Sequence, residues 1–154
     1  MFYCLLIVLL IVLDQFTKYI INTNMDINQS VPVIENVFYI TYVRNYGAAF
    51  NVLEGKQNFI IIVSLIAIIV VLLYIFLKRK SKHWSLLLAL SLVAGGGIGN
   101  LISRLILGYV VDFLDFRIWP VFNVADISVC VGCGLLVLYV LYFEPRIKKS
   151  DYNV

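Results

Sequence analysis

The chain has 154 residues, of which 62% are hydrophobic and only 14% are charged, and its formal net charge is +3. A soluble domain carries roughly 25% charged and 45–50% apolar residues. The composition therefore excludes an ordinary soluble globular protein and indicates an integral membrane protein.

The first element runs from Met1 to about Asn22 and opens with an apolar run. Its start has neither the basic residues nor the small-residue cleavage site of a secretory signal, so we predict a retained span over about 2–22. Asp14 and Lys18 are four residues apart and share a helix face, with the acid on the favoured N-terminal side. They predict either a buried ion pair that orients this helix or support for a nearby polar site.

The segment over about 23–56 differs in character. Asn, Asp, Gln, Ser and Pro32 supply turn chemistry, and Val37–Val43 is rich in the β-branched and aromatic residues typical of strands. The segment ends in Asn45-Tyr-Gly47-Ala-Ala49, whose small residues permit close backbone approach. We predict a small cap that contains strands and does not span the membrane.

A second span follows the cap. Phe59–Leu77 gives nineteen consecutive residues without a charge. As a helix this run covers about 28 Å, close to the hydrocarbon thickness of a bilayer. We predict a transmembrane helix over about 58–77.

A third span is predicted over about 84–107, apolar at first and then rich in glycine. Gly95 and Gly99 fit the spacing of small residues that lets membrane helices approach closely. Asn100 and Arg104 share one helix face. Because exposure to lipid would be costly, both must face the bundle interior or the interface.

The last third of the chain carries two carboxylates in apolar surroundings. Asp126 stands before seventeen uncharged residues, which predict a fourth span over about 123–143. A carboxylate at hydrocarbon depth is costly and marks a functional site; Asp112 is a second such group. If Asn123 caps the fourth helix, Asp126 lies at its third position, where the helix dipole favours the ionised form. Asp112 would then hold a proton that the two share.

Two carboxylates close together share one proton. Such a pair can take a proton from water and polarise a carbonyl, as in aspartic proteases. Alternatively, one carboxylate caps a helix and the other faces Arg104. Asp115 and Arg117 have the pattern of solvated interface residues. All three cysteines lie in apolar runs. Cys130 and Cys133 have the spacing of a redox or metal pair, but they lie within a predicted span without partner His or Cys residues and are expected to pack there.

Positive charge predicts the orientation of the bundle. The 78–82 turn carries four Lys or Arg residues and the 144–154 tail three, which places both in the cytoplasm. The cap and the loop containing Asp112 then lie outside, and the polar groups collect near the outer leaflet. We predict an all-α membrane protein, with four transmembrane helices and a small extracytoplasmic β-strand cap, forming a single domain over 1–154.

Five short blocks follow one another along the chain: Asp14-Gln-Phe-Thr-Lys18, Asn45-Tyr-Gly-Ala-Ala49, Gly99-Asn100-Leu-Ile-Ser-Arg104, Val110-Val-Asp112-Phe and Phe122-Asn123-Val-Ala-Asp126. In this order they resemble the motifs of the bacterial lipoprotein signal peptidases (signal peptidase II). The resemblance covers nearly the whole chain. It implies a membrane aspartyl endopeptidase that removes the signal peptide from diacylglyceryl-modified prolipoproteins by cutting before the lipidated Cys.

The resemblance also implies roles for individual residues. The catalytic residues would be Asp112 and Asp126, and the substrate-binding or supporting residues Asp14, Lys18, Asn45, Gly47, Asn100, Arg104 and Asn123. The family usually has Asp directly before the Arg of the third block, where this sequence has Ser103.

We expect a monomer in the bacterial cytoplasmic membrane that contacts membrane lipid and its prolipoprotein substrates and binds no nucleic acid. His83 is the only histidine, and no ligand cluster accompanies it, so no metal or cofactor is expected. The alternative function is a small transporter or channel subunit with a carboxylate relay inside the membrane.

Overall fold

A computed structural model describes residues 2–47, 55–78 and 83–146. In chain order its elements are helix α1 (Phe2–Asn24), strands β1 (Ser30–Ile34) and β2 (Phe38–Asn45), helices α2 (Gln57–Lys78) and α3 (Trp84–Leu107), strand β3 (Val110–Asp115) and helix α4 (Val124–Leu138), which continues through a π-helical turn at Tyr139–Phe143. Four helices are long and apolar enough to cross a membrane, the fourth counted over Val124–Arg146. The prediction of four membrane helices with a small sheet is confirmed.

Helix α3 is the centre of the bundle and packs against the three other helices. Its glycines make this possible, because a Cβ at Gly96 would collide with the carbonyl oxygen of Ala125 in α4. A Cβ at Gly99 would meet the carboxylate of Asp14 in α1. The glycine-rich stretch therefore brings the polar residues of α1 and α4 to one face of α3.

The outer surfaces of the helices are apolar, as a lipid environment requires. Large exposed side chains cover α1 and α2, among them Leu5, Phe16, Ile62, Val70 and Leu77. The cysteines share this surface: Cys4, Cys130 and Cys133 are all exposed. The expectation that Cys130 and Cys133 are buried by packing was wrong, since in a membrane an apolar residue loses nothing by facing lipid.

The sheet has the order β1-β2-β3, and both pairs of strands are antiparallel. The predicted strand around Val37–Val43 is β2. Strand β3 was not predicted, because the sequence around Asp112 was read as a loop. It pairs with β2, with Val43 opposite Asp112 and Tyr39 opposite Asp115, and it contacts α1 and α3. The polar residues after α3 are thus fixed to the sheet.

Some predicted features lie outside the described residues. These are Ala48 and Ala49 of the second sequence block, residues 79–82 of the basic turn and residues 147–154 of the basic tail. The orientation of the bundle in the membrane rests on these basic segments and stays a prediction.

Candidate active site

Asp112 projects from β3 into a set of amide groups and is only 3% exposed. Asn45 is paired across the sheet with Val110, so its side chain lies on the same face as that of Asp112. The Asn45 amide donates to Oδ2 of Asp112 at 2.9 Å. The amide of Asn123 donates to the other carboxylate oxygen at 2.6 Å. Both donors are neutral.

Asp126 lies in the first turn of α4, in the capping arrangement predicted from the sequence. The Asn123 side chain accepts from the backbone N–H of Asp126 at 3.0 Å, and Asp126 Oδ2 accepts from the backbone N–H of Asn123 at 3.1 Å. This reciprocal capping box satisfies two N–H groups at the start of the helix. The Asn100 amide of α3 donates to Asp126 Oδ1 at 2.8 Å.

Asn123 and Asn100 join the two carboxylates. The Asn123 amide nitrogen reaches both Asp112 and, at 3.2 Å, Oδ1 of Asn100. Asn100 in turn donates to Asp126. Asp112 and Asp126 therefore belong to one hydrogen-bonded group, although one comes from strand β3 and the other from helix α4.

Asp14 and Lys18 form the predicted ion pair at 2.8 Å, and the two side chains are 1% and 3% exposed. Lys18 also donates to Oδ1 of Asn100 at 2.8 Å. Asp14 Oδ1 accepts from the backbone N–H of Ala125 at 3.0 Å. The pair thus fixes the direction of the Asn100 amide and holds the first turn of α4 against α1.

Arg104 ties α3 to the end of β2. Its guanidinium donates to the carbonyl of Gly47 at 2.8 Å, and the Gly47 N–H donates to Oδ1 of Asn45 at 2.9 Å. Asp112 accepts from Asn45 and Asn123, so it is not the partner of Arg104 that one reading of the sequence expected. The structure brings all the predicted site residues into one connected network: Asp14, Lys18, Asn45, Gly47, Asn100, Arg104, Asp112, Asn123 and Asp126.

Two members of this network were not predicted. The Gln15 amide donates to Asp14 and to the carbonyl of Gly99, both at 2.9 Å, and to Ser103 Oγ at 3.5 Å. Ser103 is 1% exposed and donates to the Gly99 carbonyl. It therefore faces α1 and not Arg104. The only signal for Gln15 was its place directly after Asp14 in the first sequence block.

Asp115 lies outside this network. The prediction that it is solvated was wrong. It is 5% exposed, accepts from the Thr41 hydroxyl at 2.7 Å and from the backbone N–H of Arg117 at 2.8 Å, and pairs with the Arg117 guanidinium at 3.4 Å. Arg117 is 45% exposed, in agreement with its expected position at the interface.

The surroundings of Asp112 change its acidity. Burial, and then the charge of Asp126, raise the pKa of Asp112 to about 6, against the opposing hydrogen bonds from Asn45 and Asn123 and the charge of Lys18. At a pH near 6, Asp112 therefore exists both with and without its proton. Acid–base catalysis needs one carboxyl group that holds a proton and one that is ionised. Two neighbouring carboxylates such as Asp112 and Asp126 can provide both, because the charge of one disfavours ionisation of the other.

A groove of about 250 Å³ opens between α2, α3 and α4 beside this network. Most of its walls are apolar and include Ile68, Val71, Val93 and Val129. Asn100 and Arg104 are the polar network residues that line it. Across residues 2–47, 55–78 and 83–146, no group of three or more His, Cys, Asp or Glu side chains could hold a metal ion.

Comparisons with known proteins agree on one family. A family model described as signal peptidase (SPase) II matches residues 6–142. Proteins named lipoprotein signal peptidase are similar over most of both chains. The one from Clostridioides difficile is 46% identical over 95% of this chain and 99% of that relative. The one from Bacillus subtilis is 42% identical over 98% and 100%.

A solved structure has the same fold. It is described as a bacterial membrane enzyme and superimposes with a TM-score of 0.85 at 39% sequence identity, covering 90% of this chain and 87% of that one.

Proposed function

Since this chain belongs to the signal peptidase II family, we propose that it removes the signal peptide from prolipoproteins with Asp112 and Asp126 as its catalytic pair. It is an aspartic endopeptidase of the membrane. The observation that carries the assignment of the pair is the group of amide hydrogen bonds through Asn123 and Asn100 that links the two carboxylates.

The surroundings of the two carboxylates suit different roles. Asp126 is the base: it lies at the N-terminus of α4, where the helix dipole attracts negative charge, and both its oxygens accept hydrogen bonds. Asp112 is the acid, because burial and the nearby charge of Asp126 raise its pKa to about 6 and so increase the fraction of Asp112 that carries a proton.

Hydrolysis then proceeds in two steps. Asp126 takes a proton from water, the water oxygen attacks the scissile carbonyl carbon, and Asp112 gives its proton to the carbonyl oxygen. As the tetrahedral diol collapses, Asp126 passes its proton to the leaving amide nitrogen and Asp112 recovers a proton from the diol. The peptide bond is broken and both aspartates return to their starting states.

The remaining network residues hold this pair in place. The ion pair of Asp14 and Lys18 braces Asn100 and the start of α4. Arg104 and Asn45 both contact Gly47, so together they fix the C-terminal end of β2 beside Asp112. Such preorganisation matters because a misplacement of about 1 Å can cost roughly 10²-fold in rate.

We further propose that the substrate is modified with diacylglycerol and is cut directly before its lipidated Cys. The apolar groove between α2, α3 and α4 supports this, since it joins a lipid-facing surface to the polar network. The site would lie at the outer leaflet of the bacterial cytoplasmic membrane, with both chain termini in the cytoplasm. The excess of Lys and Arg in residues 78–82 and 144–154 supports that orientation. The enzyme would act as a monomer.

A transporter or channel subunit is not favoured. A path through the membrane needs polar groups in both halves of the bilayer, whereas α2 has no charge between Gln57 and Leu77. The network joins the C-terminal half of α1, the C-terminal half of α3 and the start of α4. These parts lie at the end of the bundle next to the sheet, so the polar groups form a site and not a path.

The test is cleavage by the purified protein in lipid nanodiscs. It should cut a diacylglyceryl-modified prolipoprotein, leave the precursor with an unmodified Cys intact, and retain its activity in a metal chelator. Asp112→Asn and Asp126→Asn should each abolish cleavage while leaving thermal unfolding unchanged. Cleavage that survives in either variant would exclude the catalytic pair, and cleavage that stops in chelator would require a metal.

A further inference from the structure

One surface plays no part in the network above: the end of the sheet formed by the β1–β2 turn and the segment between β3 and α4. Five exposed apolar side chains come together there, and we name them the apolar rim. Their exposed fractions are 56% for Ile34, 52% for Val37, 42% for Phe116, 92% for Ile118 and 62% for Trp119. An exposed cluster of this kind marks an interaction surface.

Two turns form the apolar rim. Ile34 and Val37 flank the turn between β1 and β2, and Phe116 to Trp119 belong to the turn between β3 and α4. The turns meet where the rings of Phe38 and Phe116 pack with centroids 4.8 Å apart, and Phe38 is paired with Ile34 across the sheet. The rim is therefore one continuous surface.

The turn that carries Ile118 is firmly braced. Arg117 adopts a left-handed backbone with φ of 64°, which costs roughly 1–2 kcal/mol for a residue with a side chain. Its side chain donates to Ser30 at 2.7 Å, lies 3.7 Å from the centre of the Tyr39 ring and pairs with buried Asp115. These contacts tie the turn to β1 and β2, with Ile118 and Trp119 exposed.

Three observations point to lipid as the occupant of this surface. The four helices already expose apolar side chains that face a bilayer. Trp119 lies only five residues before Val124, the first residue of α4, so it stays within about 17 Å of the start of a membrane span. Tryptophan and a half-exposed arginine are residues that membrane interfaces favour, and Ile118 between them supplies apolar surface.

We propose that the apolar rim inserts into the interfacial region of the leaflet on the sheet's side of the membrane. The turn continues into β3 at one end and into α4 at the other, and these carry Asp112 and Asp126. Insertion of the rim therefore sets the height of both carboxylates relative to the bilayer. The proposal depends on the membrane spans and the sheet, and it holds whatever reaction the site performs.

Tryptophan fluorescence tests this directly, because the chain has only two tryptophans. Trp84→Phe leaves Trp119 as the single probe. The matched control Trp119→Phe leaves Trp84, which begins α3 at the opposite end of the bundle. Both are reconstituted without substrate into phosphatidylcholine vesicles whose lipids carry bromine either near the carbonyl ends or near the methyl ends of the acyl chains.

We expect brominated lipid to remove most of the Trp119 emission, with the bromine near the carbonyl ends quenching more strongly, and aqueous iodide to have little effect. Ile118→Asp in the Trp84→Phe background should reduce the lipid quenching and increase the iodide quenching, without a change in thermal unfolding. Trp119 that iodide quenches and brominated lipid does not would overturn the proposal. Quenching that appears only when a lipidated substrate peptide with brominated chains is added would assign the rim to substrate instead.

Discussion

Strand β3 holds two buried aspartates, Asp112 within the strand and Asp115 at its C-terminal end, and the two differ in what surrounds them. Asp112 accepts hydrogen bonds from the neutral amides of Asn45 and Asn123. Asp115, three residues later, accepts from the Thr41 hydroxyl and pairs with the guanidinium of Arg117. Both side chains are almost fully buried, at 3% and 5% exposed.

The difference shows that burial alone does not make an aspartate suitable for catalysis. The guanidinium and the backbone N–H of Arg117 both bind Asp115, so Asp115 braces a turn. Neutral donors and a second carboxylate leave Asp112 able to gain and lose a proton, and its pKa is about 6. Buried Asp14 pairs with Lys18 at 2.8 Å and, like Asp115, has a cation as its partner.

The largest expected effect separates the two aspartates of β3. Asp112→Asn should lower the rate of prolipoprotein cleavage by about 10³-fold or more, the scale of a lost acid–base group. Asp115→Asn is the matched control, since it makes the same change on the same strand and retains the shape of the side chain. It should leave the rate nearly unchanged. Equal losses of rate in the two variants would contradict a catalytic role for Asp112 that Asp115 does not share.

The largest effect on stability is expected at the third buried aspartate, Asp14, when its partner Lys18 loses its charge. Lys18→Met leaves the carboxylate of Asp14 buried without its ion-pair partner, which should lower the free energy of unfolding by about 3 kcal/mol. The double variant Asp14→Leu with Lys18→Met removes both charges and should recover much of that loss. Thermal or denaturant unfolding in detergent measures both; a single variant as stable as the wild type would show that the pair does not brace the bundle.

The pH dependence should report the neutral surroundings of Asp112. Because the proposed acid must be protonated, kcat/KM should fall as the pH rises above about 6, the raised pKa of Asp112. Asn45→Ala removes a hydrogen bond that stabilises the ionised form, so this pKa should rise further and the alkaline limb should move to higher pH. A lost hydrogen bond of about 1 kcal/mol corresponds to roughly 0.7 of a pH unit. A limb that moves to lower pH would contradict the assigned role.

The smallest effect on stability and rate is expected at the C-terminal end of β3, where Arg117 pairs with Asp115. Arg117→Gln removes the cation from Asp115, but Arg117 is 45% exposed and water screens the pair. The free energy of unfolding should fall by about 1 kcal/mol or less, and kcat should stay close to that of the wild type. A large loss of kcat, with the protein still folded, would mean that the C-terminal end of β3 takes part in the reaction.

Much of the fold could be predicted, because it follows from local rules. Long uncharged runs predicted the helices, and Asn123 three residues before Asp126 predicted the helix cap, which in the structure is a reciprocal capping box. The spacing of Asp14 and Lys18 predicted their ion pair. Each of these depends on residues within one turn of helix or on the length of a single segment.

The rest depends on contacts between distant segments. Strand β3 exists because β2 pairs with it, and Asp115 is buried because Thr41 and Arg117 enclose it. No local pattern distinguishes Asp115 from a solvated carboxylate. Gln15 was missed for the same reason, since its partners Gly99 and Ser103 lie in a different helix.

The central claim is that Asp112 and Asp126 sense each other's charge, and titration of the Asp112 carboxyl tests it most directly. Infrared difference spectra of protein labelled with ¹³C-aspartate, taken against Asp112→Asn, give its pKa in the wild type and in Asp126→Asn. Because burial, and then the charge of Asp126, raise the pKa of Asp112 to about 6, that pKa should be lower in Asp126→Asn and unchanged in Asp115→Asn. The same pKa in the wild type and in Asp126→Asn would contradict the coupled pair.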